Sequence, residues 1–179
     1  MKHLLIIKHK IRETKGFSLS ELLVVVVIVT LLSIMIATGT DTAVRAYGRM
    51  TDETNAEVLL STCVTMLRNE LTTATEISVA DDKKSVSFKN VGTGYISVIR
   101  SGACSEEGST DTAEKIWITE YGTAEKQLIS DITATNDLMV SFDSIEYSDG
   151  AVTVKELTVK KTGKNRALAV LPELIIGNL

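Results

Sequence analysis

An apolar run near the N-terminus constrains the fold of this chain more than any other feature. Residues 17–39 read FSLSELLVVVVIVTLLSIMIATG, and from Leu22 to Ala37 only Thr30 and Ser33 are polar. As a helix, a segment of this length rises about 30–35 Å, which matches the hydrocarbon core of a bilayer. The sequence therefore predicts a membrane-spanning helix over residues 17–39.

Charge is divided unevenly on the two sides of this run. The chain carries a formal net charge of −4, but residues 1–16 hold five cations and one acid, a local +4, which leaves −8 for the rest. Cationic flanks stay in the cytoplasm. We therefore expect a single-pass membrane protein whose N-terminus is cytoplasmic and whose chain after residue 40 is extracytoplasmic.

Residue types on which catalysis depends are scarce after residue 16. Both histidines, His3 and His9, lie in the first 16 residues, so the remainder has no imidazole for a Ser-His-Asp or Cys-His apparatus or for a metal site. No P-loop or G-x-S-x-G pattern occurs. We expect no enzyme activity, catalytic residue, cofactor or metal ion, and the −8 does not favour nucleic acid.

The boundary between the basic segment and the apolar run carries a composite motif. It reads Lys15-Gly16-Phe17-Ser18-Leu19-Ser20-Glu21: a basic leader ends in Gly, Phe follows, and a Glu stands five residues into the new segment. With the apolar run behind it, this combination resembles the class III signal of type IV prepilins and pseudopilins. The resemblance covers residues 1 to about 45.

That resemblance implies a processing and assembly route. Gly16 would be the last leader residue, and a prepilin peptidase would cut before Phe17 and methylate its new amine. Glu21 would pair with the N-terminal amine of a neighbouring subunit. The partners implied are other pilin subunits, in a homo- or hetero-filament, an assembly ATPase and a platform membrane protein. The product would be a structural subunit, major or minor pilin or pseudopilin, of an extracellular or periplasmic filament.

Other interpretations of the same segment stay open. Glu21 alone also fits an interfacial acid or an acid that stabilises a helix N-terminus. Residues 1–39 also fit an ordinary signal peptide cut near Gly39, or an uncleaved anchor, and either would present an α+β binding module. Many pilins carry a Pro near the end of the span, whereas the single Pro here is Pro172.

An amphipathic pattern follows the apolar run. Apolar residues recur at helical spacing and predict a stripe that packs on a sheet: Ala56, Leu59, Leu60, Cys63, Met66, Leu67, Leu71 and Ala74. The opposite face carries Glu57, Ser61, Thr65, Arg68 and Thr72. We expect one helix from Phe17 to about Thr75, with its amphipathic half over residues 40–76.

Short β-prone runs between turn signals fill residues 77–179. The predicted strands are Ile77–Val79, Ser85–Lys89, Tyr95–Ile99, Ile116–Glu120, Gln127–Ser130, Leu138–Tyr147, Val152–Lys160 and Ala167–Ile176. The predicted order is thus leader 1–16, span 17–39, amphipathic helix 40–76 and extracytoplasmic β-domain 77–179. The fold class is α+β: a long N-terminal helix packed on an antiparallel β-sheet.

The Asp149-Gly150 pair predicts a two-residue hairpin turn. With that turn, Tyr147 faces Val152, Ile145 faces Val154, Phe142 faces Leu157 and Val140 faces Val159. Every pair is apolar on apolar, which supports the register. The apolar phase flips between 145 and 142 and between 154 and 157, so we expect the hairpin to turn its apolar side over midway.

Residues 101–114 read SGACSEEGSTDTAE and predict an exposed acidic loop. Glu106, Glu107, Asp111 and Glu114 are oxygen ligands of the kind calcium uses, but their spacing matches no EF-hand. Cys63 and Cys104 are both extracytoplasmic in this interpretation, where disulfides form. We predict a Cys63–Cys104 bridge, the alternative being that Cys63 is a small core hydrophobe.

Overall fold

The structure is a computed structural model that describes residues 18–105, 114–121, 123–129 and 137–177. Over these residues it has one helix and nine strands. They are α1 (Leu19–Thr72), β1 (Ala74–Val79), β2 (Ser85–Asn90), β3 (Ile96–Gly102), β4 (Lys115–Glu120), β5 (Lys126–Gln127), β6 (Leu138–Ser141), β7 (Ser144–Ser148), β8 (Ala151–Lys161) and β9 (Ala167–Gly177). This arrangement confirms the predicted α+β class.

Two compact units divide the chain, Met1–Gly48 and Arg49–Leu179. The described part of the first unit is the N-terminal part of α1, and its side chains are exposed throughout. The second unit contains the rest of α1 and all nine strands. Every buried residue of α1 lies in this second unit.

The core-facing stripe of α1 is the predicted one. Ala56, Leu59, Cys63, Leu67 and Leu71 are buried at successive turns of the helix. They join one hydrophobic cluster with residues of both sheets. Because burying a large aliphatic side chain stabilises a fold by about 1.5–3 kcal/mol, this stripe is what fixes the helix on the sheets.

The helix ends earlier than the sequence predicts. α1 stops at Thr72, and Ala74 already pairs with Asn90 in the first sheet. The predicted helix end near Thr75 is therefore wrong. The segment Thr72–Thr75 is rich in β-branched threonine, which favours strand over helix. Ala74 is fully buried in the core, as predicted, but it lies on a strand and not on the helix.

The strands form two antiparallel sheets rather than one. In the first, β1 to β5 lie side by side in sequence order. In the second, β8 is central: it pairs with β6 and β7 in succession, and with β9 over nearly its whole length. Consecutive pairing of this kind needs only short connections, which the turn signals supply.

The predicted hairpin register is confirmed. Tyr147 faces Val152, Ile145 faces Val154, and Val140 faces Val159. Asp149 and Gly150 have φ angles of 52° and 73°, which is the pattern of a type I′ turn and matches the right-handed twist of the strands.

The predicted change of apolar phase is also present, and it interrupts a strand. The run Leu138–Tyr147 divides into β6 and β7, and the predicted pairing of Phe142 with Leu157 is absent from the ladder. On β8, Glu156 has a φ of 53° and is exposed between buried Val154 and buried Leu157. This left-handed residue shifts the alternation by one position, so that both halves of β8 bury their apolar residues.

Backbone and side-chain bonds tie the two sheets together. The Phe142 N–H donates to Oγ of buried Ser101 at 3.0 Å, and the Ile145 N–H donates to the Lys83 carbonyl at 2.7 Å. Glu146 accepts from both Lys83 and Lys155 at 2.7 Å. Hydrogen bonds from these two lysines lower the pKa of Glu146 to about 2, so the bridge persists through the mildly acidic range.

The Asp149-Gly150 turn yields a prediction about stability. Gly150→Ala should lower the unfolding free energy by about 1 kcal/mol, because an L side chain is strained at positive φ even though a Cβ at Gly150 meets no atom within 4 Å. Gly177→Ala is the matched control, since its Cβ also meets nothing and its φ is not left-handed. Thermal unfolding of the full chain in detergent measures both; equal melting temperatures would contradict the turn assignment.

Candidate functional site

The candidate site is the N-terminal end of α1, where the sequence predicts processing and assembly. Gly16 and Phe17, the predicted cleavage and methylation residues, lie outside the described residues. The described part of the site begins at Ser18, and α1 starts one residue later.

Ser18 and Glu21 close a reciprocal capping box at the start of α1. The Ser18 N–H donates to Oε2 of Glu21 at 3.0 Å, and the Glu21 N–H donates to Oγ of Ser18 at 3.3 Å. The Leu22 N–H donates to the Ser18 carbonyl at 3.1 Å and makes the first helical bond. This is the geometry of an S-x-x-E cap, which satisfies two N–H groups that a helix N-terminus otherwise leaves free.

Glu21 is exposed, and its carboxylate meets no cation among the described residues. The cap matches the interpretation of Glu21 as an acid that stabilises the helix N-terminus. It occupies one carboxylate oxygen, and the part of the chain that the structure describes shows no bond to the other. The geometry of the single chain therefore leaves Glu21 able to accept a further donor.

The apolar run forms an exposed cylinder of side chains. The large apolar residues between Leu22 and Ile36 are each about half exposed or more, on every side of the helix. A helix that is hydrophobic all round needs either a protein core or a lipid environment. The described part of the chain packs nothing against this segment.

The hydroxyl groups within this run are already satisfied. Thr30 Oγ1 donates to the Val26 carbonyl at 2.6 Å, and Ser33 Oγ donates to the Val29 carbonyl at 2.8 Å. Each bonds the preceding turn of its own helix, so no donor is left to face hydrocarbon. In the sequence, Thr30 and Ser33 are only polar interruptions of the apolar run. Their hydrogen bonds to helix carbonyls make them compatible with a bilayer.

Length and composition of α1 fit a membrane anchor. Among the described residues it is the one helix that is long and apolar enough to cross a bilayer, and it lies near the N-terminus. These features support a single-pass membrane anchor.

No candidate metal centre or calcium site is found in the described part of the chain. There, no group of three or more His, Cys, Asp or Glu side chains is arranged to hold a metal ion. Of the four acidic residues considered for calcium, Glu106, Glu107 and Asp111 lie outside the described residues, and Glu114 is exposed.

The best-buried ionic cluster was not predicted from the sequence. Arg100 donates to both carboxylate oxygens of Glu125, from Nε at 2.9 Å and from Nη2 at 2.8 Å. The N–H and hydroxyl of Ser105 donate to the same carboxylate, each at 3.0 Å. The Glu125 side chain is 9% exposed. This cluster fixes the segment after β3 to the segment before β5.

The charge state of Glu125 follows from these contacts. Burial acts to raise the pKa of Glu125, but hydrogen bonds from Ser105 and Arg100 outweigh it and hold the pKa below its ordinary value. A lowered folded pKa means that the ionised carboxylate stabilises the fold above its unfolded pKa. That stabilisation is lost as the pH falls through the folded value. The cluster is a structural clamp between the segments that it joins.

The predicted Cys63–Cys104 disulfide is not formed in the structure, where both cysteines are free. Cys63 is fully buried in the core-facing stripe of α1, and burial raises the pKa of its thiol to about 12. Cys104 Sγ lies 3.8 Å from Oε2 of Glu125. Cys63 thus occupies the position of a small core hydrophobe, which is the alternative to the bridge.

Comparison with known proteins agrees with the N-terminal site. A family model described as the prokaryotic N-terminal methylation motif matches residues 11–37. The match includes Gly16, Phe17, Glu21 and most of the apolar run. A search of curated proteins and a search of solved structures returned no match.

The chain therefore carries the class III signal of type IV pilins at its N-terminus. Together, this signal and the long apolar helix support a type IV pilin-like precursor. Such a motif points to a structural subunit, a class of protein that is usually not enzymatic.

Alkylation distinguishes the two arrangements of the cysteines. In the native full chain without reductant, iodoacetamide should modify Cys104 and leave Cys63 intact, because a buried thiol with a pKa of about 12 stays protonated and inaccessible. In urea, still without reductant, both should be modified. Mass spectrometry reads the result. If a disulfide joins them, neither cysteine is modified in urea until a reductant is added.

Proposed function

We propose that this chain is the precursor of a structural subunit of a type IV pilus-like filament. The observation that carries the proposal is the methylation motif over residues 11–37, which includes Gly16, Phe17 and the capped, apolar N-terminal part of α1. The α+β unit that follows would form the filament surface, and the helix would supply the assembly core.

Processing is the first step of the proposed route. A membrane-embedded prepilin peptidase cuts between Gly16 and Phe17 on the cytoplasmic side and methylates the new Phe17 amine. Gly16 suits the position because a residue without a side chain lets the backbone lie extended against the enzyme. The +4 leader holds this end at the cytoplasmic face until the cut.

Assembly is the second step. When apolar helices bundle in a filament, Glu21 leaves water, and a buried carboxylate without a cation is strongly unfavourable. The Phe17 amine of a neighbouring subunit supplies that cation. Since the Ser18 cap uses only one oxygen of Glu21, the other can accept from this amine without loss of the cap. The pair of Glu21 and the neighbouring Phe17 amine makes a wrong axial stagger between subunits unfavourable, because a misaligned Glu21 is buried without its cation.

The proposed partners follow from the same route. They are the prepilin peptidase, further copies of this chain or related pilins, and, by family resemblance, an assembly ATPase and a platform membrane protein. The precursor spans the membrane once with the α+β unit on the extracytoplasmic side. The assembled subunit then belongs to an extracellular or periplasmic filament.

Replacing Gly16 tests the processing step. Gly16→Val should leave the precursor uncleaved in the membrane, because the added side chain obstructs the extended approach of the backbone. The measurement is N-terminal sequencing after expression with a prepilin peptidase. Gly39→Val is the matched control and should still yield a chain that starts at Phe17. A mature chain that starts at Thr40 in the wild type would overturn the proposal in favour of an ordinary signal peptide.

Three variants separate the assembly role of Glu21 from its capping role. Glu21→Ala should insert and be cut normally but fail to enter filaments, because the Phe17 amine is then buried unpaired at a cost of several kcal/mol. Glu21→Gln should be partly defective, since it keeps the shape and loses the charge. Ser18→Ala removes the cap hydroxyl and keeps the charge, a loss of only about 1 kcal/mol, so it should assemble.

The measurement is the amount of each variant in sheared filaments, with the variant as the sole copy and its processing verified. Wild-type incorporation of Glu21→Ala would contradict the pairing role. Equal loss in Ser18→Ala and Glu21→Ala would assign Glu21 to helix capping alone.

A further inference from the structure

A cleft opens between the edges of the two sheets. β1 is an edge strand of the first sheet, and in the described chain β7 forms a ladder with β8 only. The Ile145 N–H donates to the Lys83 carbonyl at 2.7 Å and joins the two edges at one point. Beside this point lies a cleft of about 550 Å³, whose walls include Val79, Tyr147 and Ser148. We call it the edge cleft; strand edges of this kind are sites where a further segment can dock.

Acidic and aromatic side chains give the edge cleft a preference for cations. Asp81 lines the cleft and Asp149 directly follows β7; both are exposed, and neither makes an ion pair among the described residues. Glu146 is already paired with two lysines, and Lys84 of the same turn as Asp81 lines a different cavity. The ring of Tyr147 is 43% exposed and offers a surface on which a cation can rest.

The turn between β8 and β9 carries the opposite charge. Residues 160–166 read KKTGKNR and contain four cations and no acid, and residues 162–166 are all exposed. The Lys164 N–H donates to the Lys161 carbonyl at 2.9 Å, and Gly163 has a φ of 75°, as a tight turn with glycine at its third position requires. We refer to residues 160–166 as the basic turn; its tip is fixed, and it is narrow because glycine has no side chain.

The cations at the tip of the basic turn are available to a partner. Lys161 is not, since its Nζ lies 2.8 Å from Oδ2 of Asp52 in a partly buried pair. Lys164 and Arg166 make no ion pair among the described residues. Asp137 accepts hydrogen bonds from the turn through its backbone carbonyl, and its carboxylate is not paired with these cations. The basic turn thus presents two uncompensated charges on a preformed loop.

The edge cleft and the basic turn belong to different parts of β8. Ile145 in the cleft wall faces Val154 in the first half of β8, whereas the basic turn closes the far end of the strand at Lys161. The seven residues between these positions span about 23 Å. One chain therefore cannot bring its own basic turn into its own edge cleft, but a second copy of the chain can do so.

We infer that the edge cleft binds the basic turn of a second copy of this chain. Lys164 and Arg166 of one copy pair with Asp81 and Asp149 of the next and rest against its Tyr147. Because the two copies use different surfaces, the contact is heterologous, and such contacts extend into a helical series where the rotation does not close. The inference rests on the filament proposed above, to which it adds a bond between neighbouring α+β units.

Cross-linking of two labelled chains tests the contact. Both are the full chain with Cys104→Ser in a neutral detergent at low salt; the cleft chain carries Ser148→Cys and the turn chain carries Asn165→Cys. Both positions are exposed, and buried Cys63 is left in place. A bis-maleimide should join the mixture into dimers severalfold more than either chain alone, and high salt should remove the excess. If either chain alone gives as much dimer as the mixture, the inference is overturned.

Charge reversal attributes the dimer to the named side chains. Asp81→Lys in the cleft chain should remove the excess of dimer, and so should Lys164→Glu in the turn chain, because like charges then face each other. A mixture of the two reversed chains should recover most of it. Glu120→Lys and Lys126→Glu make the same changes in net charge at exposed positions on β4 and β5 and should leave the excess intact. Equal loss in these controls, or no recovery in the reversed mixture, refutes the pairing.

The cross-link needs neither a peptidase nor a filament, which separates this inference from the function on which it rests. If wild-type subunits enter sheared filaments and the mixture gives no excess of dimer, the filament stands and the contact is refuted. If the excess forms and follows the charge reversals while the wild-type chain enters no filament, the contact stands and the proposed function is wrong.

Discussion

Burial of apolar surface on one helix organises the whole molecule. From Ala56 to Leu71, one stripe of α1 packs into the core of the two sheets. From Leu22 to Ile36 the same helix is apolar on all sides and meets no protein surface in the described chain. The hydrophobic effect satisfies the first segment within the chain. The second segment needs lipid or other apolar helices around it, which fits a single-pass membrane anchor.

Features set by neighbouring residues could be predicted from the sequence. The stripe on α1, the Asp149-Gly150 turn and the register around it depend on local spacing, and the structure confirms them. The break at Phe142 could not be located, because it depends on the left-handed backbone of Glu156 in the partner strand. The helix end was placed too late because sheet pairing of Ala74 overrides helical periodicity.

Contacts between segments that are distant in the sequence could not be predicted from the sequence pattern. Arg100 and Glu125 are 25 residues apart, and neither stands in a recognisable motif; strand pairing alone brings them together. Lys161 and Asp52 are separated by 109 residues, and the packing of α1 against the sheets brings them together. At the N-terminal site the residues of the motif are neighbours in the sequence, so the motif could be recognised without a structure. The capping role of Ser18 could be assigned only from its hydrogen bonds with Glu21.

Glu21 caps the isolated helix and has a second role in the proposed filament. In the single chain it closes the helix N-terminus, where an acid interacts favourably with the helix dipole. The cap binds one oxygen and is made with backbone N–H and hydroxyl groups, so it does not neutralise the charge. Glu21 is exposed to water, and because its cap does not neutralise it, the carboxylate can still bind a cation. In the filament proposed above, removal from water would make the unpaired carboxylate costly, and Glu21 would then favour the helix alignments that give it a cation.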